Sequence, residues 1–110
     1  MTADDIRALA LSLPEAVEVP HFDRPSFRVR GKIFATLHPG GETVVLKLPP
    51  MVKESLRQSD PAAILVLPGG WDRGGWTLIA IGGMEGDRLA DLIRLAWRQV
   101  APKKLLPGPS

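Results

Sequence analysis

Arg28, Arg30 and Lys32 fall within five residues of one another in SFRVRGKIFATLH, residues 26–38. Two runs of alternating apolar and polar residues flank Gly31, so the stretch reads as a β-hairpin with cations crowded at its tip. A basic hairpin can reach a groove and neutralise phosphates, as β-ribbon and wing readers do. The same charges also keep an exposed sheet surface soluble. A second candidate is PGGWDRGGW, residues 68–76, where four glycines and Pro68 frame Trp71, Arg73 and Trp76. An aromatic and a cation on one loop can stack on bases and meet phosphates. Trp76 also reads as the start of a strand packed into the core, and Trp71 as a lid over it.

Other chemistry finds little footing. The histidines are His21 and His38, too far apart for a local metal motif, and either would need a positioned partner for acid–base work. No HExxH, GxSxG or GxxxxGK[ST] pattern is present. With no cysteine, disulfides and thiolate metal sites are excluded. Asp4, Asp5, Glu15 and Glu18 could be read as a carboxylate cluster, but helix capping and a solvated first turn account for the first two. GGMEGD, residues 82–87, places glycines at the mouth of a helix, where free N–H groups can hold phosphate. Without a dinucleotide fingerprint it reads better as a strand-to-helix connection that needs positive φ. The chain therefore reads as a binding protein with no cofactor and no metal, and not as an enzyme.

The bulk numbers suit that reading. A chain of 110 residues with 45% hydrophobic and 24% charged residues is one soluble domain, large enough for an ordinary core. The amino-terminal MTADDIRALA lacks the basic start and apolar stretch of a signal peptide, and no apolar run approaches membrane-spanning length. The expected setting is the cytoplasm, with no membrane partner. The net charge is only +2, yet it is unevenly placed. Residues 1–23 carry five acids against Arg7 alone, whereas residues 24–47 carry Arg24, Arg28, Arg30, Lys32 and Lys47 against Glu42 alone. Residues 48–102 balance, and Lys103 and Lys104 follow. A local positive field is the inference.

The elements that must position these groups follow from periodicity. Thr2–Leu13 reads as a helix, with Thr2 and Asp5 as a capping box, and Pro14 stops it. Residues 15–24 read as extended or irregular, as Pro20 and Pro25 favour. Ser26–Arg30 and Lys32–His38 pair as strands. A two-residue turn at Arg30-Gly31 would set Phe27 opposite Phe34; a three-residue turn would set Val29 opposite Ile33. HPGGE, residues 38–42, turns into a third strand, Thr43–Leu48. Pro50 opens a short helix that ends at Asp60-Pro61. Ala63–Leu67 and Trp76–Ile81 are β-like, and their continuous apolar character suits central strands. Leu89, Leu92, Ile93, Ala96, Trp97 and Val100 mark a final amphipathic helix, with Asp87 suited to capping and to the helix dipole. The expectation is a single α+β domain over 1–102, in the order α-β-β-β-α-β-β-α, with helices on one face of a largely antiparallel sheet and a flexible tail over 103–110.

LSLPEAVE (11–18), SFRVRGKIFATL (26–37), LKLPP (46–50), GGWDRGGWTLI (69–79) and RLAWRQVAPKKL (94–105) together resemble the MmcQ/YjbR family of small bacterial proteins. The resemblance implies an α-β3-α-β2-α fold like that of secretion chaperones. It also implies binding of double-stranded DNA through two loops acting as a double wing. By position, Arg28–Lys32 would be one wing and Trp71–Gly75 the other. The nucleic-acid-binding residues are then Arg28, Arg30, Lys32, Trp71 and Arg73. The alternative is a chaperone-like module that binds a protein or small ligand through the apolar loop around Trp71.

Overall fold

The computed structural model of the protein describes residues 1–67 and 75–105. Among these, three α-helices and a six-stranded sheet form, with the strands in the spatial order β1-β2-β3-β4-β6-β5 and every pairing antiparallel. The elements are α1 (Ala3–Ser12), β1 (Ala16–His21), β2 (Arg24–Val29), β3 (Lys32–Leu37), β4 (Thr43–Lys47), α2 (Pro50–Ser59), β5 (Ile64–Leu65), β6 (Trp76–Ala80) and α3 (Gly86–Val100).

The expected α+β architecture is present, with one strand more than the sequence suggested. Residues 16–21, read as extended or irregular, form the edge strand β1. Its two proline-containing strands coexist because Pro20 lies opposite Pro25, so neither asks the other for an N–H. The capping box at α1 forms as predicted: Thr2 N donates to Asp5 Oδ2 at 2.8 Å and Asp5 N to Thr2 Oγ1 at 3.2 Å. The Thr2 backbone N–H, helped by the Thr2 side chain, holds the Asp5 carboxyl below its usual range. At α3 the expectation fails in part. Glu85 occupies the cap position without a side-chain bond, and Asp87 sits inside the first turn, where only the dipole favours it.

The β2–β3 turn is the two-residue one, with Val29 opposite Lys32 and positive φ at Arg30 and Gly31. A bulge then shifts the register, so Phe27 faces Ala35 and not Phe34. The extra residue lets Phe34 and Ala35 both reach full burial.

The two faces of the sheet differ. The row Phe27–Ala35–Leu46–Thr77 faces the helices, and all of it is fully buried. Ile6 and Ala10 of α1, Leu56 of α2 and Leu89, Ile93 and Trp97 of α3 complete this core. Each large apolar side chain so buried contributes roughly 1.5–3 kcal/mol. The row Val19–Ser26–Thr36–Val45–Leu78–Leu65 faces the opposite way.

Two further expectations are corrected. The apolar run at 63–67 gives a two-residue edge strand and not a central one; Ala63 is buried, but Leu65 and Val66 are exposed. Neither Gly82 nor Gly83 has positive φ; Gly83 instead serves close approach, since a Cβ there would lie 3.2 Å from the Ala63 Cα, while Gly82 has open space around it. The tail lysines stand in a 3₁₀ turn, Lys103–Leu105, with Leu105 packed on the core.

Candidate functional site

The hairpin tip is built by β1 as much as by β2 and β3. Because Ala16 pairs with Val29, one further step along the register brings Glu15 opposite Arg30. The two meet as a bidentate pair: Arg30 Nε donates to Glu15 Oε1 at 2.9 Å and Nη2 to Oε2 at 3.1 Å. Both residues sit in turns with positive φ. This bond holds the Glu15 carboxyl below its usual range, and the charge of Lys104 adds to the effect. Glu15 in turn strengthens the charged form of Arg30. The pair is solvent-exposed, so its contribution to stability is small. A parallel pair one turn inward joins Arg7 of α1 to Glu18 of β1, with Nε to Oε1 at 2.7 Å.

The other two cations of the hairpin are differently placed. Arg28 is half-buried on the open side of the sheet, and its Nε donates to Ser26 Oγ at 3.0 Å. Lys32 is exposed at the tip and makes no ion pair among the described residues. Trp71 and Arg73, the other predicted contacts, lie outside the described residues.

Trp76 does not enter the core, as the strand reading required. It is half-buried on the open face, where Lys47 from the neighbouring strand lies 5.5 Å from its ring centroid. Its carbonyl is held from the other side by the buried Lys53, whose Nζ donates to it at 2.7 Å.

A cavity of about 440 Å³ opens on this face. Ile33, Thr36, Val45 and Leu78 lie along its strands, Trp76 and Leu67 flank it, and the β1–β2 tip contributes His21, Phe22, Asp23 and Arg24. Sequence reasoning missed Phe22, Arg24 and Lys47 as candidates. The alternation in TVVLK already puts Val45 and Lys47 on one face. Phe22 and Arg24 become legible only once residues 16–21 are recognised as a strand.

Phe22 breaks a local rule. It occupies the first position of a two-residue hairpin connection at φ +59°, where glycine is favoured, and is 92% exposed. Among the described residues its ring makes one aromatic contact, an edge-on meeting with His21 at 4.8 Å. Phe22→Gly is therefore expected to raise stability by roughly 1 kcal/mol, through relief of the left-handed backbone. A urea-denaturation midpoint that falls instead would show that the ring supports the fold.

A sheet covered by helices on one side, with a cavity on the other and cations around one end, defines a small α+β domain. The chain belongs to the YjbR family, whose profile matches residues 11–99. The crystal structure of the Deinococcus radiodurans protein DR2400, described by the domain DUF419, is similar over 96% of this chain and 82% of that one, with a TM-score of 0.79 and 26% sequence identity. No curated protein matches the sequence.

Proposed function

We propose that the protein binds nucleic acid weakly and mainly through phosphate contacts, using the end of the sheet that carries the β2–β3 tip. Arg28 and Lys32 of the hairpin and Lys104 of the tail supply the contacts. Arg30 joins them when Glu15 releases it. Supporting this reading is one observation above all: Arg28, Arg30 and Lys32 flank the β2–β3 turn at one end of the sheet, where Arg30 holds Glu15 at 2.9 Å and Lys104 is near enough for its charge to favour the ionised carboxylate. Cations from distant parts of the chain thus gather at one end, as a phosphate-binding surface requires.

The electrostatics give a sharp test. Three phosphate contacts predict that log affinity falls with log salt at a slope of about −2.7, near −0.9 for each. Glu15→Gln removes the carboxylate that holds Arg30 and frees it. The slope should then steepen toward about −3.6, and affinity for duplex DNA at low salt should rise roughly three- to tenfold. Lys32→Ala with Lys104→Ala should reverse the gain. Fluorescence anisotropy over a salt series measures both quantities. Salt-insensitive binding, or an unchanged affinity in Glu15→Gln, would remove the proposal's basis. A second reading, as a small-ligand-binding module, is favoured by the open-face cavity, which is lined by none of Arg30, Lys32 or Lys104.

A further inference from the structure

We infer that the open-face cavity is a binding site for a small amphipathic carboxylate, with its apolar body on the strands β3, β4 and β6 and its head group at Arg24. The volume, about 440 Å³, is that of a small-molecule site. Adjacent strands present Ile33, Val45 and Leu78 to it, and Trp76 flanks them, so most of the surface a ligand would touch there is apolar. An apolar body is the natural occupant.

One polar group interrupts that surface. Thr36 is nine-tenths buried, lines the cavity, and its hydroxyl has no hydrogen-bond partner among the described residues. Yet among those residues no fully enclosed side-chain oxygen or nitrogen lacks a partner. The Thr36 hydroxyl is therefore reached from the cavity, where a ligand's acceptor can meet it.

Charge fixes the sign of the head group. Arg24 stands at the rim with His21 and His38, and the carboxylate there is Asp23. Asp23 does not neutralise Arg24 well. Its contact is a single one at 3.4 Å to Nε, the long end of hydrogen-bond range, and its side chain is 72% exposed. The terminal nitrogens of Arg24 have no partner among the described residues, and a guanidinium fork matches a carboxylate in two parallel bonds. A doubly charged phosphate would fit less well beside Asp23, with a single fixed cation to meet it.

Phe22 supplies the last observation. A large aromatic held exposed in a left-handed turn costs stability without a packing gain, a pattern associated with binding sites. Its ring stands at the cavity rim, where an apolar ligand gives it the contact that the fold does not. This site is independent of the phosphate-binding end and stands or falls separately from it.

Titration calorimetry of the full chain with octanoate and with 1-octanol tests the assignment. Octanoate should bind roughly tenfold more tightly than the alcohol, the difference being the head group at Arg24. Arg24→Gln should erase that difference and leave octanol binding unchanged. Phe22→Gly should weaken both ligands while leaving the protein folded. Lys32→Ala with Lys104→Ala should change neither. Absence of octanoate binding at about 10 mM, equal affinity for acid and alcohol, or loss of binding in the Lys32/Lys104 variant and not in Arg24→Gln, would each overturn it.

Discussion

Gly75→Ala should destabilise the protein by about 3–5 kcal/mol, a large part of the ~5–15 kcal/mol that holds a domain together. Two independent effects combine at this position. The backbone has φ +90°, a conformation that a side chain makes costly. A Cβ built there would also lie 1.9 Å from the Leu48 carbonyl oxygen and 3.1 Å from its carbon. Backbone atoms cannot swing aside as the end of a flexible side chain can. The same two residues are joined by a hydrogen bond from Leu48 N to Gly75 O at 2.9 Å, so relieving the clash also pulls this bond apart. Neighbouring glycines separate the causes. Gly31 has φ +83° with open space around its Cβ, so Gly31→Ala should cost about 1 kcal/mol from strain alone. Gly40 is crowded by nothing and has no such φ, so Gly40→Ala should be close to neutral. Urea-denaturation midpoints for the three variants should fall in that order. Equal effects at Gly31 and Gly75 would mean that the close approach to Leu48 contributes nothing.

The position matters to the site as well as to stability. Gly75 leads directly into Trp76, which pairs with Lys47 across the sheet and flanks the cavity. The glycine thus fixes how β6 enters the sheet beside β4. In the sequence it is one of four glycines in a nine-residue stretch, with nothing local to single it out. Its necessity comes from the Leu48 backbone, which the chain reaches from the far side of α2.

Much of the fold was legible because local signals agreed with the global one. The apolar spacing of α3, the box at Thr2 and Asp5, and the breaks at Pro14 and Asp60-Pro61 each have a mechanism confined to a few residues. What stayed hidden was decided by contacts between distant residues. The strand at 16–21 forms because β2 offers it a partner, and Pro20 is tolerated because β1 is an edge. The bulge at Phe34 follows from the need to bury two adjacent residues of β3, which strict alternation does not foresee. The charge pattern was visible, but its meaning was not. The acidic start and the basic middle looked like separate patches. The fold instead places Glu15 of the acidic start onto Arg30 of the basic middle, so part of each patch is spent on the other, while Glu18 is met within the acidic start by Arg7. Arg24 was counted among the basic residues without a place, and only the β1–β2 turn brings it to the cavity.

The turn that carries Glu15 depends in its own right on a distant residue, and Trp97→Ala should show this with a loss of about 3–5 kcal/mol. The indole is 4% exposed on α3, within the core that α1 and the sheet share. Its Nε1 donates to the Pro14 carbonyl at 3.0 Å, which ties the last helix to the α1–β1 connection. Truncation removes the packing and the tether together. Trp97→Phe removes the hydrogen bond while keeping most of the apolar volume, and should cost about 1–2 kcal/mol. The smaller change is the more informative one for function. With Pro14 untethered, Glu15 loses the backbone restraint that presents it to Arg30. Trp97→Phe should therefore reproduce part of the gain in DNA affinity expected of Glu15→Gln, at a temperature where circular dichroism shows the variant fully folded. A Trp97→Phe protein that loses stability but binds duplex DNA as the parent does would show that the tether supports the fold alone. In that case the left-handed turn at Glu15, and not its anchor on α3, sets the availability of Arg30.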